Sequence, residues 1–348
     1  MVPGQVYPWQ KDIFDRLRQN LQESRLAHAY QLNGRAYLGK TDFALAFAAA
    51  LLCENPEKGF AEQIACGSCA ACELLKAGSH ADLRVVLPEE SGQIKIDTVR
   101  DLLAWSSQTS QRGGYKIVVI SPAEAMNTAA ANAFLKCLEE PPEKSLFLLV
   151  THKAGNLPAT LRSRCQRLDF KLPERDEALE WLRKSDALSG LEESPEMLLE
   201  MAQGLPLKIV RLYTAEFLAN RQALMGYLAR LASGEDEPLR VADALKEVDM
   251  GELLLLWTDF VSACVRPCNQ PVADKANTGP ADLALYQPEN SERQKVASLL
   301  GTDRLFEFYD TLINALKVVN GRSNPNRLLL LESLLIDWSG RSDTSSVR

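Results

Sequence analysis

Histidine is scarce. The chain has three, His28, His80 and His152, and they are scattered. No nucleophile–histidine–acid set can be assembled from them, so triad chemistry is not expected and each reads as a hydrogen-bonded structural residue. Long apolar runs are missing as well. No stretch reaches the ~18 apolar residues that a membrane-spanning helix needs. The start, Met1-Val2-Pro3-Gly4-Gln5, lacks a basic segment followed by an apolar one. No secretory signal is expected, and the cytoplasm is the default expectation. The chain also lacks an excess of positive charge. Its net charge is -7; residues 1–168 hold 19 Lys and Arg against 17 Asp and Glu, the remainder 20 against 29. A protein that grips nucleic acid alone usually shows a basic face. This composition points instead to protein partners, or to a nucleic-acid contact shared with them.

What is present begins with size. The 348 residues, 46% hydrophobic and 24% charged, suffice for roughly two or three soluble domains. Up to about residue 170, strand and helix patterns alternate. Strands are expected at Ala29–Leu32, Leu83–Leu87, Lys116–Ile120, Leu146–Thr151 and Cys165–Phe170. Helices are expected at Ile13–Gln22, Thr41–Leu52, Ile96–Ser107, Thr128–Glu140 and Leu157–Ser163. Such alternation implies α/β architecture, a parallel sheet covered by helices. Beyond about Pro173 the strands stop. Helices follow at Arg175–Lys184, Pro195–Gln203, Lys208–Arg230, Pro238–Glu247, Gly251–Val265, Asp303–Val319 and Asn326–Asp337, so an all-α region succeeds the α/β one. Residues 266–288, rich in Pro, Asn and Ala, read as a mobile loop, and 339–348 as a disordered tail.

Gly34-Arg35-Ala36-Tyr37-Leu38-Gly39-Lys40-Thr41 fits the phosphate-loop pattern G-x-x-x-x-G-K-[ST]. The expected strand before it and helix after it are the context the motif needs. Backbone N–H groups and the helix dipole would face an anion, Lys40 would meet phosphates and Thr41 would hold magnesium. Tyr37 stands where many such loops have glycine, and it is not expected to accept positive φ easily. Two readings stay open: ATP binding at Gly34, Gly39, Lys40 and Thr41, or a relic turn that binds nothing. Hydrolysis fares worse. It needs an acid to hold magnesium and a glutamate to orient water, yet the strand Lys116–Ile120 runs into Ser121-Pro122. Glu124, farther along, is expected to point elsewhere.

Four of the eight cysteines, Cys53, Cys66, Cys69 and Cys72, fall within a short segment containing C-x-x-C-x-x-C. In a cytoplasmic chain such clustering indicates metal chemistry over disulfides. Four thiolates at this spacing suit tetrahedral structural zinc; an iron–sulfur cluster is the competitor. Leu161-Arg162-Ser163-Arg164-Cys165-Gln166-Arg167 concentrates arginine. It reads either as a solvated basic turn, which composition alone favours, or as a source of a guanidinium for a phosphate held by another subunit.

These segments, taken in order with Asn132-Ala133-Phe134-Leu135-Lys136-Cys137-Leu138-Glu139-Glu140-Pro141-Pro142 and Ser163-Arg164-Cys165, resemble the bacterial sliding-clamp-loader subunits of the AAA+ class, and within them the stator members that do not turn over ATP. The resemblance is strong to about residue 210. Beyond that it rests on helical character and on Asn326-Arg327-Leu328-Leu329-Leu330-Leu331-Glu332. It implies a RecA-like AAA+ domain over 1–170 with a zinc module at about 53–80, a helical lid over 171–207 and a helical collar over 208–338 that holds a pentameric ring. The implied partners are the motor subunits (tau or gamma) and a delta subunit, with DNA and the sliding clamp met mainly through the assembled loader. Arg164 is implied to be an arginine finger acting in trans. Thr151 falls at a phosphate-sensing position, and Leu207, beside Lys208, falls where the motors carry a second sensor arginine. An autonomous ATPase and a zinc-dependent DNA-binding module are the competing functions. Lys136 and Arg112 read as exposed side chains, with DNA phosphates as the alternative.

Overall fold

The computed structural model describes residues 4–55, 65–89, 91–112, 114–265, 287–319 and 325–340. Two compact units emerge, Met1–Arg211 and Leu212–Arg348.

Among the described residues, the first unit is built on five strands: β1 (Ala29–Asn33), β2 (Leu83–Val86), β3 (Lys116–Ile120), β4 (Ser145–Thr151) and β5 (Gln166–Asp169). They form one sheet in the order β2-β3-β4-β1-β5, and every pairing is parallel. Lys-Ile-Val-Val-Ile in β3 and Ser-Leu-Phe-Leu-Leu-Val-Thr in β4 are buried throughout, as expected of central strands covered on both faces. Successive side chains alternate between two cores. Leu146, Leu148 and Val150 pack with Phe14 and Leu17 of α1 (Lys11–Gln22) and Phe43 and Phe47 of α2 (Lys40–Leu52). Phe147 and Leu149 face the other way, towards α4 (Ile96–Ser106) and α5 (Thr128–Glu139). Between α2 and α4 in the chain comes α3 (Ala70–Lys76). After β4 come a short α6 (Ala159–Arg162), β5, α7 (Arg175–Lys184), α8 (Pro195–Met201) and α9 (Pro206–Leu212).

The second unit contains, among the described residues, α10 (Ala215–Ala232), α11 (Pro238–Leu245), α12 (Met250–Val265), α13 (Gln287–Leu300), α14 (Thr302–Val319) and α15 (Arg327–Ser339). Trp257 and Trp338 are fully buried together in its core. Their rings meet edge-on at 5.8 Å, Phe308 lies 4.9 Å from Trp338, and the Trp338 indole donates to the Leu228 carbonyl at 2.9 Å.

Three expectations change. The helix expected over Lys208–Arg230 is two helices, because the Thr214 hydroxyl accepts from the Phe217 N–H at 3.1 Å and starts α10 anew. Helices α3 and α13 were not expected. Gln287 and Pro288, assigned to a mobile loop, begin α13, while 266–286 lie outside the described residues. Of the expected tail, Ser339 ends α15, Gly340 caps it, and 341–348 lie outside the described residues.

Candidate functional site

Because all strands are parallel, their carboxyl ends share one edge, the usual ligand edge of an open α/β sheet. The loop after β1, Ser121 after β3 and Thr151 ending β4 are therefore brought together. Gly39 starts α2 with φ +76°, and a Cβ there would lie 2.5 Å from the Tyr7 ring. Glycine is required on both counts. Trp9 and Gln10 both donate to the Leu38 carbonyl, at 3.3 and 2.7 Å, which fixes the loop from its outer side.

Tyr37 corrects an expectation, since it adopts φ +62°. The left-handed turn survives with a side chain in it, packed partly against the core of the first unit. Such a conformation is uncommon for a bulky residue, and it is held here by its surroundings.

Lys40 is 2% exposed. Its Nζ donates to the Gly34 carbonyl at 2.7 Å and to the Arg35 carbonyl. Burial pushes the ammonium down to about 8, against the opposing pull of the Glu124 carboxylate. The folded chain therefore binds this proton less tightly than the unfolded chain does, and stability gains as pH rises from about 8 towards the unfolded value of 10.5. Relative to Lys40→Met, the parent should gain about 2 kcal/mol between pH 7 and 9.5, read from urea unfolding at each pH. A difference that stays flat over that window would show the ammonium to be unperturbed.

The Thr41 hydroxyl lies 2.8 Å from the Ser121 hydroxyl. The loop threonine is thus satisfied by a neutral hydroxyl, at the place where magnesium-dependent cleavage would need an acid. Glu124 turns to the end of β4 and acts on Lys40 through its charge. Its Oε1 accepts from the His152 and Lys153 N–H groups, at 2.8 and 3.1 Å, which ties it to the end of β4; its Oε2 is buried without a partner. Thr151 is fully buried. Its hydroxyl accepts from Gln31 at 3.3 Å and donates to the Leu32 carbonyl at 3.4 Å. Leu207 and Lys208 are buried in α9. Of the histidines, His80 accepts from the Asp82 N–H through Nδ1, whereas His28 Nε2, His80 Nε2 and His152 Nδ1 are buried without partners.

The four cysteines converge. The Cys53, Cys66, Cys69 and Cys72 sulfurs all lie within 4.8 Å of one another, and Cys66 and Cys72 are 3.9 Å apart. Tetrahedral thiolates at a zinc–sulfur distance of ~2.3 Å stand ~3.8 Å from each other, so the donor set fits a metal ion. Gly67 turns between the ligands at φ +71°, and Cys69 caps α3 by accepting from the Cys72 N–H at 3.4 Å. Cys66 accepts hydrogen bonds that hold its thiol down at about 5, while burial pushes Cys72 up to about 12. Residues 56–64 of the expected zinc module lie outside the described residues.

Arg164 lies elsewhere. It precedes β5, whose first residue Gln166 pairs with Tyr30, so it sits at the amino edge of the sheet, opposite the loop. It is exposed, and Glu139 at the end of α5 is its ion-pair partner at 2.7 Å. Arg112 pairs with Glu54, and Lys136 is exposed.

The comparisons bear on the whole chain. A family model described as DNA polymerase III, delta subunit, matches residues 9–174. The DNA polymerase III subunit delta' of Pseudomonas aeruginosa is 35% identical over 338 residues, covering 96% of this chain and 97% of that one. The chain belongs to the DNA polymerase III delta' subunit family. A second member, from Yersinia pestis, is 29% identical over 98% of this chain and 97% of its own. The DNA polymerase III subunit tau of Bacillus subtilis is 35% identical over 162 residues, 47% of this chain and 28% of that one. Within the family frame, the structure gathers the four cysteines into one cluster and places the loop of Gly34, Gly39, Lys40 and Thr41 at the sheet edge opposite Arg164. Sequence reasoning missed the Glu124 contacts to the end of β4 and the Glu139 contact to Arg164. A signal for Glu139 was present: Glu139 and Glu140 close a helix whose carbonyl end disfavours acids.

Proposed function

We propose that the chain is a non-hydrolysing stator of the DNA polymerase III sliding-clamp loader. It scaffolds the ring with motor (tau or gamma) and delta subunits during DNA replication and donates Arg164 in trans to the ATP site of a neighbouring motor. One observation carries this reading: Arg164 stands at the sheet edge opposite the chain's own phosphate loop. Strand β5 has four residues, so the separation along the sheet is about 13 Å at ~3.3 Å per residue. A guanidinium placed there serves a phosphate outside this loop. The Thr41–Ser121 hydroxyl pair supports the other half of the proposal, since it leaves the loop without the acid that magnesium-dependent cleavage requires.

In this reading the sheet domain is AAA+-like over 1–170, residues 171–207 are the lid and 208–338 the collar. The four cysteines hold structural zinc. The retained Lys40 and Thr41 favour a second form of the same reading, in which ATP binds and is not cleaved. The test is ATP turnover by the purified chain. None is expected, with or without DNA; turnover abolished by Lys40→Ala would replace the stator by an autonomous ATPase. Tight, salt-sensitive DNA binding by the isolated chain would favour the zinc-dependent DNA-binding module instead.

A further inference from the structure

Arg164 is not loose at the sheet edge. Its guanidinium is held at both terminal nitrogens: Nη2 donates to Glu139 Oε1 at 2.7 Å, and Nη1 donates to the Thr160 carbonyl at 3.1 Å. The two anchors come from different elements, the last residue of α5 and the first turn of α6. A guanidinium carries five N–H donors in a rigid fork. The two anchors use one donor on each terminal nitrogen, so the other N–H on each and the Nε–H remain for a phosphate.

The placement of Glu139 is unfavourable for its own helix. It ends α5, Glu140 caps it, and both carboxylates stand at the negative pole of the helix dipole. A helix end optimised for stability carries cations there. A residue that breaks a local rule while making a specific long-range contact marks a functional requirement. The contact it makes is the one to Arg164, across 25 residues of chain.

We propose that Glu139 is the positioning residue of the arginine finger: with the Thr160 carbonyl it fixes the plane and direction of the Arg164 guanidinium before a neighbouring phosphate arrives. The inference rests on the finger reading above. Physically it is pre-organisation. A flexible arginine ordered in advance loses less freedom when the transition state forms, and small misplacements of such groups cost large factors in rate.

The experiment uses the full chain in a reconstituted loader with primed DNA and ATP. Glu139→Ala should lower kcat for DNA-stimulated ATP turnover at the served site about tenfold with KM for ATP unchanged, because the group acts in the transition state. Glu139→Gln keeps the acceptor oxygen and should restore most of the rate. In an Arg164→Ala background, Glu139→Ala should add nothing. If Arg164→Ala slows turnover and Glu139→Ala does not, or glutamine fails to rescue, the positioning role is wrong and the finger stands. A faster Glu139→Ala loader would show that the carboxylate competes with the phosphate, also overturning the role. If Arg164→Ala leaves turnover unchanged, the finger reading itself falls.

Discussion

Replacing Arg164 by alanine is expected to cut DNA-stimulated ATP cleavage at the served site by about 10³-fold, while the loader ring still assembles. The size follows from what an arginine supplied in trans does. Charge spreads over the phosphoryl oxygens in the transition state, and a planar, permanently charged fork meets it with directed hydrogen bonds. Folding should not suffer. Arg164 is 37% exposed in its side chain and Glu139 50%, and an exposed pair of this kind is worth about 0–1 kcal/mol. Arg164→Lys should recover little, because a lysine keeps the charge and loses the fork. The measurement is pre-steady-state phosphate release from the reconstituted loader, with ring assembly followed by light scattering. Unchanged release would remove Arg164 from the mechanism. Failed assembly would make it an interface residue.

The parts of this chain that were legible in sequence are those fixed by local pattern. The short β-branched and apolar runs within Lys116–Ile120 and Leu146–Thr151, flanked by Gly113-Gly114, Pro122 and Pro141-Pro142, read as strands covered on both faces, and they are. The spacing of Cys66, Cys69 and Cys72 demands sulfurs within reach of one point, and they are. Illegible parts depend on contacts between distant residues. Tyr37 was judged by its own steric preference, whereas packing against the core holds it at φ +62°. Glu124 was judged by its distance from the strand end, yet the short turn after Ser121 swings it back onto the N–H groups of His152 and Lys153. The break between α9 and α10 was hidden by continuous Leu and Ala, with only Thr214 to signal it. Helix α13, with its Gln, Glu, Ser and Arg, lacks the apolar period by which buried helices are recognised.

Breaking the four-cysteine cluster, by chelating the zinc it is proposed to hold, is expected to be the largest stability effect in the chain. Among its described residues the segment has little else to hold it. Helix α3 has seven residues, well short of the ~12–15 at which an isolated helix becomes even marginal in water. Its buried side chains are Ala71, Cys72 and Leu75, a small apolar contribution. Structural zinc in small modules is worth roughly 10–16 kcal/mol of apparent binding free energy, which is folding free energy when the apo site is unstructured. Here the module is continuous with a larger core through Cys53 at the end of α2, so its loss should show as local unfolding coupled to a weaker whole. Chelation, or Cys66→Ser, should release about one zinc per chain. It should also expose 65–80 to proteolysis and, with about 3 kcal/mol of that energy coupled to the rest of the unit, lower the first melting transition by roughly 10 °C, at ~2–4 °C per kcal/mol for a domain of this size. Cys137→Ser, outside the cluster, should leave the metal content unchanged. Elemental analysis and calorimetry decide it. Iron in place of zinc would turn the module into an iron–sulfur site, and no metal with an unchanged melting curve would leave the four thiols to packing alone.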